Sequence, residues 1–525
     1  MGNQRPLETV RGVAEALFVS DPNLEIDDDN VELSAGKPQR RMWTSLDRQT
    51  SDIDLPVITT ARVKTADGTS RNIDFHEVYW APLMDEARFV AVPLWLFELV
   101  QKGPDKMLAG LKGLWWVIGL LLAFWIFCTV LIAMTAINSW LGVGERSGIW
   151  DTVIPWGLAA VACGGLMGRR GLGLLVLLFM APVLASVLAS VLAHLAPTFF
   201  AGLLSGSWVP MGLGSQSSLG VAVSAIAAFF VLNFVVLLSV VGDAARYFRK
   251  APSNVAVRMA VRALGVGPLS RLHASKLGGD FKYDRIVVVS HSLGTVVAYD
   301  MLRAYWSLVA KSLGDPLKLK GGKAQNARFA VTENERPAWR TACRELIREL
   351  ERRPMKAREP ISATAPARRW IVTDFVTLGS PLSQAEFLLA EGKTASALTA
   401  SFQKKKRERE LPTSPAQKLD HDGSLAYSLG LAGSLFHHAA LFGLTRWSNL
   451  YFPLHALAWG DFVAGPVSRT RAGAELFGGG VEDLSVYGAP LGNWMAHTHY
   501  WSHTETRPSP NHLVKLRAAV NLLDK

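Results

Sequence analysis

The sequence predicts an α/β fold, a mostly parallel sheet flanked by helices, with a block of about four transmembrane helices inserted into it. Three observations predict this fold. Residues Ile286–Val289 form an uninterrupted apolar run of strand length, as expected for a parallel strand that is buried on both faces. Strand-like and helix-like patterns alternate around this run. Between Gly113 and Leu238 only five residues are charged, which is too few for a soluble domain.

The N-terminal part of the fold, residues 1–112, contains both kinds of pattern. Apolar residues at helical spacing predict a helix over Leu7–Phe18, and β-branched runs predict strands at Val57–Val63 and Ile73–Trp80. The apolar stretch Phe89–Val100 has few charges and precedes the membrane block. We therefore expect it to lie along the membrane surface.

The membrane block, residues 113–241, divides into four apolar stretches. A helix that crosses the hydrocarbon core of a bilayer needs about 20 residues; three of the stretches exceed this length, and Val153–Met167 is short for a span. The predicted spans are Leu114–Asn138, Val153–Met167, Gly171–Ala193 and Leu219–Val241.

Positive charge predicts the orientation of these spans. With four spans, every basic cluster that flanks them lies on one side of the membrane, and the positive-inside rule makes that side the cytoplasm. We therefore expect a multi-pass protein of the inner cell membrane, with the N-terminal and C-terminal parts both cytoplasmic. The basic residues are Lys102, Lys106 and Lys112 before the first span, Arg169 and Arg170 between the second and third, and Arg246, Arg249 and Lys250 after the last.

The main α/β part is predicted to cover residues 242–525. It begins with helical spacing over Val255–Leu264, continues into the apolar strand described above, and has a further strand at Trp370–Leu378. Strands that alternate with helices in this way favour a parallel sheet.

Two basic insertions interrupt this part, near residues 311–368 and 391–423. The first contains one predicted helix, Ala338–Glu351. The second contains the run Lys404–Arg409, which we interpret as a solvated loop, with contact to lipid headgroups as the alternative.

Composition limits the classes of partner. The formal net charge is +11, which favours attraction to anionic lipid, and no nucleic-acid-binding motif is present, so we expect no nucleic-acid partner. Cys128 and Cys163 lie in the membrane block, which leaves Cys343 as the third cysteine and argues against a disulfide framework or a zinc site. We expect no metal and no cofactor. Residues 1–40 contain no long apolar core, so no signal peptide is predicted.

A candidate nucleophile follows the apolar strand. In Ser290-His291-Ser292-Leu293-Gly294, small residues lie two positions before and two positions after a serine, and helical spacing comes next. A nucleophilic serine on a sharp turn between a strand and a helix needs small residues at those two positions. We therefore predict that Ser292 is a nucleophile. His291 is expected to point away from it and to serve in packing.

The chain resembles serine hydrolases of the α/β-hydrolase superfamily, and more specifically membrane-associated bacterial lipase/esterase-like proteins with a Ser-His-Ser-Leu-Gly-Thr elbow. The resemblance covers the elbow, Thr377–Leu382, Trp447–Val467 and the final histidine-rich motif. In that superfamily the nucleophile, the acid and the histidine follow one another along the chain. The resemblance implies that Asp461 is the acid. Asp374, which lies inside an apolar strand, is the alternative.

The resemblance also implies the base. Related proteins carry a histidine three residues before a Tyr-Trp pair, and this pattern selects His497. His499 is the close alternative and His503 is the third candidate. The base would take the proton of Ser292 during attack on an acyl carbonyl.

An oxyanion formed in this attack needs two backbone N–H donors. Leu293, directly after the nucleophile, is expected to supply one. The resemblance places the second in a loop that is similar to the beginning of this sequence, where Gly2 and Asn3 are the candidates. The first strand that precedes this loop in related proteins has no counterpart here, so we expect the true N-terminus to lie upstream of Met1; the alternative is that the protein lacks part of its oxyanion hole.

These residues predict a membrane-anchored serine hydrolase that cleaves an acyl ester at the cytoplasmic face of the membrane, with a lipid or another acyl ester as its substrate. The alternative is a catalytically degenerate hydrolase-fold protein that acts as a membrane scaffold or sensor. A transporter or channel is disfavoured, because the block lacks paired intramembrane charges and leaves only His194 as a polar candidate.

Overall fold

The structure is a computed structural model of the full chain. It describes residues 6–24, 42–45, 57–84, 91–104, 242–248, 252–313, 334–352, 369–408, 426–428, 434–455, 459–468, 481–502 and 509–524, with a few residues of 112–122; residues 22, 66, 67, 393, 437, 439, 494 and 495 within these ranges are excepted.

The helices and strands are numbered in chain order. The α-helices are α1 (Glu8–Ala14), α2 (Ala91–Lys102), α3 (Gly242–Phe248), α4 (Pro252–Ala274), α5 (Leu293–Ser312), α6 (Arg336–Arg352), α7 (Ala385–Leu389), α8 (Ala395–Arg407), α9 (Leu441–Leu444) and α10 (Asn511–Val520). The strands are β1 (Met42–Ser45), β2 (Val57–Thr60), β3 (Val63–Lys64), β4 (Ser70–Arg71), β5 (Asp74–Phe75), β6 (Lys276–Leu277), β7 (Asp280–Phe281), β8 (Ile286–His291), β9 (Val372–Leu378), β10 (Ala426–Ser428), β11 (Ser434–Phe436), β12 (Arg446–Tyr451) and β13 (Val481–Ser485).

A parallel sheet forms the centre of the fold. Its described strands lie in the order β8-β9-β12-β13, and each neighbouring pair is parallel. The strands therefore follow one another in space as they do along the chain, and all four carboxyl ends lie at one edge. We call it the catalytic edge because the predicted nucleophile, Ser292, follows β8 there. The predicted mixed α/β fold with a parallel sheet is confirmed at this level.

Helices cover both faces of this sheet, which explains why its strands are apolar on both sides. Successive residues of a strand point to opposite faces. On β9, Phe375 joins the core under α4 and α5, which includes Leu302, whereas Val376 joins the core under α10, which includes Leu450 and Leu516.

The N-terminal segment packs on α10. A short π-helical turn, Glu15–Val19, continues α1, so together they cover the predicted helix Leu7–Phe18. The Arg517 side chain of α10 donates from Nε to the Ala16 carbonyl oxygen at 3.0 Å and from Nη2 to the Ser20 hydroxyl at 2.8 Å. The N-terminal part and the main α/β part are thus joined directly.

Helix α4 extends well beyond the predicted range Val255–Leu264. The predicted range stops one residue before Gly265, and glycine usually disfavours a helix interior. In the structure Gly265 instead allows close approach to α5: a Cβ atom at this position would lie 2.0 Å from Cε of Met301. The glycine serves helix packing and does not end the helix.

The interpretation of the basic run Lys404–Arg409 as a solvated loop is wrong for its first four residues, which lie in α8. Leu398 and Phe402, four residues apart, are buried and hold this helix against the protein. Lys404 pairs with Glu408 at 3.7 Å, again at a spacing of four residues.

Two predicted strands are also shorter than expected. The run Val57–Val63 breaks into β2 and β3, and Ile73–Trp80 contributes only Asp74 and Phe75 to a strand. The predicted helix Ala338–Glu351 corresponds to α6, which extends it by a few residues.

The predicted membrane block, residues 113–241, lies almost entirely outside the described residues, and its four spans therefore stay predictions. In the part of the chain that the structure describes, no helix combines the length and the apolar character needed to cross a bilayer. Phe89–Val100, which we expected to lie along the membrane surface, overlaps α2. Its Trp95 and Leu96 side chains are buried within the protein.

The end of α4 is fixed at the opposite edge of the sheet, the amino edge, by a buried histidine. His273 Nδ1 donates to the Leu269 carbonyl oxygen at 2.7 Å, and His273 Nε2 accepts from the Ile371 amide at 3.3 Å, directly before β9 begins. This pairing requires the neutral ring. Burial lowers the pKa of His273 to about 3.

We expect this histidine to make the fold sensitive to acid. The unfolded chain takes up a proton at its ordinary pKa of about 6.5, but the folded chain does so only near pH 3, so the free energy of unfolding falls as the pH drops below about 6.5. The slope is about 1.4 kcal/mol per pH unit for one group. Replacing His273 with Gln should flatten the loss of thermal stability between pH 7 and pH 5, measured by tryptophan fluorescence. The exposed His455→Gln is the control and should leave the slope unchanged; an unchanged slope in His273→Gln would contradict the prediction.

Candidate active site

The predicted nucleophile lies on a sharp turn at the catalytic edge. Ser292 has φ 52° and ψ −133°, between the end of β8 and the start of α5. A non-glycine residue in such a conformation is strained by about 1–3 kcal/mol and needs support from its surroundings. The support comes from both sides: the Ser292 amide donates to the Leu378 carbonyl oxygen at 2.9 Å, and the Thr295 hydroxyl donates to the Ser292 carbonyl oxygen at 2.7 Å.

The small residues of the motif have different surroundings. The Ser290 hydroxyl lies 3.4 Å from the Val376 carbonyl oxygen on the adjacent strand. At Gly294, a Cβ atom would meet no atom of the described residues within 4 Å. The steric reason for a small residue, on which the prediction relied, is therefore not seen at Gly294.

Three side chains from three strand ends form a hydrogen-bonded row. His497 Nε2 lies 2.8 Å from Ser292 Oγ, and His497 Nδ1 lies 2.9 Å from both carboxylate oxygens of Asp461. Asp461 follows β12 and His497 follows β13, so the parallel register brings both to the edge where Ser292 lies. Because an ionised carboxylate only accepts, Nδ1 carries the proton and Nε2 is left to accept from the serine hydroxyl.

Asp461 is fully buried, yet it is held in its charged form. Its Oδ1 accepts from the Val463 amide at 2.8 Å and from the Ala464 amide at 3.1 Å, and its Oδ2 accepts from the Tyr500 hydroxyl at 2.7 Å. Burial alone would raise the pKa of the Asp461 carboxyl. The charge of His497 and the hydrogen bonds outweigh burial and lower that pKa below its ordinary value.

Tyr500 belongs to the site, although the sequence analysis used it only to select His497 as the base. Its ring is buried, and its hydroxyl both donates to Asp461 and accepts from the Phe452 amide at 3.2 Å. Burial and the adjacent Asp461 raise the pKa of Tyr500 well above its ordinary value. The hydroxyl therefore stays protonated and remains a donor at any working pH.

Gly379 provides the space in which this row fits. It has φ +61°, and a Cβ atom here would lie 2.8 Å from Tyr500 Cε2, 2.9 Å from Asp461 Oδ2 and 3.1 Å from His497 Nδ1. Its amide donates to the Leu450 carbonyl oxygen at 3.1 Å, which holds it against β12. Both the backbone conformation and the space require glycine at this position.

His291 was expected to serve in packing, but its side chain also makes a hydrogen bond to the base. Its Nε2 donates to the carbonyl oxygen of His497 at 2.6 Å, and the two rings lie 4.9 Å apart, centroid to centroid. The indole of Trp501 packs against the His291 ring in a T-shaped arrangement, with 4.9 Å between the ring centroids. Burial, followed by the charge of His497, lowers the pKa of His291 to about 3, so this ring stays neutral beside the base.

The alternative site residues lie elsewhere. His499 Nδ1 lies 3.1 Å from the Ser502 hydroxyl. Asp374 lies near the amino end of β9, opposite Val287, and pairs with Arg285 at 2.9 Å. The third candidate base, His503, is outside the described residues.

The two predicted oxyanion donors differ in what the structure shows of them. The Leu293 amide lies in the first turn of α5, where N–H groups have no acceptor within the helix and where the helix dipole favours negative charge. Gly2, and Asn3 beside it, lie outside the described residues, so the second donor stays a prediction.

Sequence reasoning missed two of these residues for different reasons. Tyr500 lies 39 residues after Asp461 along the chain, and no local sequence pattern predicts a hydrogen bond between them. Gly379 did carry a signal, since it ends an apolar strand inside Thr377–Leu382. In the described part of the chain no group of three or more His, Cys, Asp or Glu side chains could hold a metal ion.

This arrangement can deprotonate a serine hydroxyl as it attacks. A neutral imidazole accepts from the hydroxyl, a buried carboxylate fixes the tautomer of the ring, and a helix N-terminus faces the negative charge that develops. Comparison of the chain with protein-family models, with curated proteins and with solved structures gives no match.

Replacing Tyr500 with Phe removes the hydroxyl and keeps the ring. We expect covalent labelling of Ser292 by a fluorophosphonate to slow about tenfold, because a hydrogen bond to a charged group contributes about 1.5–3 kcal/mol. Without this hydrogen bond the pKa of the Asp461 carboxyl rises, so the acid limb of the pH–rate profile should move to higher pH. The exposed Tyr487→Phe is the control; an unmoved acid limb in Tyr500→Phe contradicts the assigned role.

Replacing Gly379 with Ala should slow the labelling of Ser292 by about two orders of magnitude or more, since the new methyl group displaces the Asp461–His497 pair. Gly68→Ala is the matched control. Gly68 has φ +77°, and a Cβ atom there meets nothing within 4 Å, so this variant has the backbone strain of about 1 kcal/mol without the clash. Equal labelling rates in the two variants at equal melting temperatures would show that the space at Gly379 is unimportant.

Proposed function

We propose that the protein is a membrane-anchored serine hydrolase of the α/β-hydrolase type that cleaves an acyl ester at the cytoplasmic face of the inner membrane. The observation that carries this proposal is the hydrogen-bonded row of Ser292, His497 and Asp461 on the strained turn after β8. The order of these residues along the chain and the parallel order of the four strands also support it.

The proposed mechanism uses one nucleophile and one base. Ser292 Oγ forms a bond to the acyl carbonyl carbon while its proton passes to His497 Nε2, and the carbonyl oxygen becomes an oxyanion that accepts from the Leu293 amide. The oxyanion collapses, the C–O bond to the alcohol breaks, and His497 gives its proton to the departing alcohol. Water then attacks the acyl-enzyme with His497 again as base, which releases the carboxylic acid and restores Ser292.

Asp461 and Tyr500 support both proton transfers without changing their own protonation. Once His497 carries two protons, the ring is positive and the carboxylate of Asp461 lies 2.9 Å from Nδ1. The donors around Asp461 keep that charge in place through the whole cycle, so little reorganisation accompanies each transfer.

The membrane anchor is supported by the two helices that flank the predicted membrane block, residues 113–241, which we also call the apolar segment. Helix α2 ends before it, α3 begins after it, and the rings of Trp95 and Phe248 on these helices stack at 6.2 Å with an interplanar angle of 8°. Helices that pack on each other on either side of the segment favour a segment that leaves and returns on the same side of a bilayer. An even number of spans fits this arrangement, as do the four spans predicted from hydropathy.

The experiment measures hydrolysis of 4-nitrophenyl esters by the full chain in detergent. We expect turnover by the wild type and a loss of at least about a thousandfold in Ser292→Ala and in His497→Gln, because each removes the reacting pair. Asp461→Asn should cost a similar factor, since it favours the wrong tautomer of the base.

The contrary result identifies the alternative function. An inert wild type, with Ser292 unlabelled by a fluorophosphonate, would favour the degenerate scaffold or sensor. That outcome would fit β8 being an edge strand of the described sheet, with β9 as its one described partner.

A further inference from the structure

Both helices that flank the apolar segment are fastened to the catalytic half of the fold. The Tyr247 hydroxyl of α3 donates to Asp300 Oδ2 at 2.7 Å. Arg262 Nη2, on α4, donates to the same oxygen at 3.3 Å. Asp300 lies about two helical turns after Ser292 on α5, a distance of about 12 Å along the axis. Helix α3 is therefore fastened to α5, the helix that begins at the nucleophile.

The helix before the segment is fastened in the same region. Lys102, the last residue of α2, donates from Nζ to the carbonyl oxygens of Phe387 at 2.8 Å and Ala390 at 2.9 Å. These carbonyls end α7, the short helix that follows β9 and Gly379 on the catalytic edge. A cation on the final carbonyls of a helix is favoured by the helix dipole as well as by the hydrogen bonds.

The direction of α4 shows which of its ends lies on the side of the catalytic edge. The C-terminal end of α4 is held to the amino edge by the hydrogen bond between His273 and the Ile371 amide, which precedes β9. Its N-terminal half faces Asp300, the residue that also holds Tyr247. Helix α4 thus begins on the catalytic side, beside α3, and runs away from it.

An exposed aromatic side chain stands at the same edge. Trp459 is 52% exposed and lies two residues before Asp461 in the loop that carries the acid. Its carbonyl oxygen accepts from the His455 amide at 2.9 Å, which fixes the backbone of the loop. The next aromatic residue, Phe462, is half-buried, with its ring 6.1 Å from that of His497. Tryptophan is the side chain that favours the boundary between water and lipid.

From these placements we infer that the catalytic edge faces the bilayer, with Trp459 in its interfacial layer, and that the site takes an amphiphilic ester from the membrane surface. This inference rests on the proposed hydrolase function and on the predicted membrane spans. The helices on either side of the apolar segment are fastened to α7 and α5, which follow β9 and β8 at the catalytic edge, and the lysines and arginines that flank the segment complement an anionic lipid surface. An ester with a long acyl chain would then reach Ser292 without crossing water.

The amino edge provides a matched control surface. The hairpin β6–β7 presents Leu277 and Phe281, which are 72% and 44% exposed. Hence exposure of apolar side chains alone does not distinguish the two edges. The inference predicts that Trp459 on the catalytic edge matters for a substrate embedded in lipid and that Leu277 on the amino edge does not.

The first experiment compares two esters with the same chromophore. Full-length protein in vesicles of phosphatidylcholine and phosphatidylglycerol is given 4-nitrophenyl acetate in solution or 4-nitrophenyl palmitate within the bilayer. Trp459→Gln should lower the ratio of palmitate to acetate hydrolysis about fivefold or more, which is about 1 kcal/mol of lost interfacial binding, whereas Leu277→Gln should leave it unchanged. An unchanged ratio in Trp459→Gln, or an equal fall in Leu277→Gln, overturns the inference. Absence of hydrolysis of both esters by the wild type instead overturns the proposed function.

The second experiment does not depend on activity. Lipids with brominated acyl chains quench tryptophan fluorescence by contact, and the difference between the wild type and Trp459→Phe reports the emission of Trp459 alone. We expect that difference to be quenched in brominated vesicles. Unquenched emission from Trp459 would place the catalytic edge away from the bilayer, even if the protein hydrolyses esters.

Discussion

The buried negative charge of Asp461 is the constraint on which the rest of the site depends. A carboxylate out of reach of water is costly unless donors surround it. Here two amides, one hydroxyl and one imidazole serve this purpose, and each comes from a different position along the chain. Tyr500 must be deep enough to reach Oδ2, and Gly379 must lack a side chain so that the tyrosine and the histidine fit together. The charge therefore determines residues that never touch the nucleophile.

The loop that carries this charge is itself held from the sheet. Asn449, buried on β12, donates from its amide nitrogen to the Gly465 carbonyl oxygen at 3.0 Å and to Asp483 Oδ1 at 2.7 Å. Asp483, its register partner on β13, accepts from the amides of Val467 at 2.8 Å and Ser468 at 3.0 Å. Because Asn449 and Asp483 bond to each other and to the loop, the pairing of β12 with β13 also fixes the path of residues 461–468. Polar groups in an apolar sheet are worthwhile only when all of them find partners, and this pair does so by holding the acid loop.

The sequence predicted those parts of the fold and the site whose causes are local. An apolar run followed by small residues marks a strand and a turn, and the structure has β8 and Ser292 in those places. The order of Ser292, Asp461 and His497 along the chain came from resemblance, and the structure brings their side chains together. What escaped prediction depends on contacts between distant segments: the length of α4, which rests on Gly265 against Met301, and the hydroxyl of Tyr500 on Asp461. Periodicity cannot distinguish a glycine that ends a helix from one that lets two helices approach.

The neighbouring residues His291 and Ser292 link the nucleophile to the base by a second route. His291 ends β8, and its side chain holds the carbonyl of His497, while Ser292 bonds to the ring of the same histidine. The position of the base is thus tied to β8, the strand that positions the nucleophile, through one contact to the backbone of His497 and one contact to its ring. A cationic side chain at position 291 would hold the carbonyl equally well. It would also oppose the positive charge that His497 acquires in the proposed reaction, because two like charges at this separation in a buried site repel strongly. A buried imidazole donates the same hydrogen bond and stays neutral, which explains why a histidine suits the position before the nucleophile.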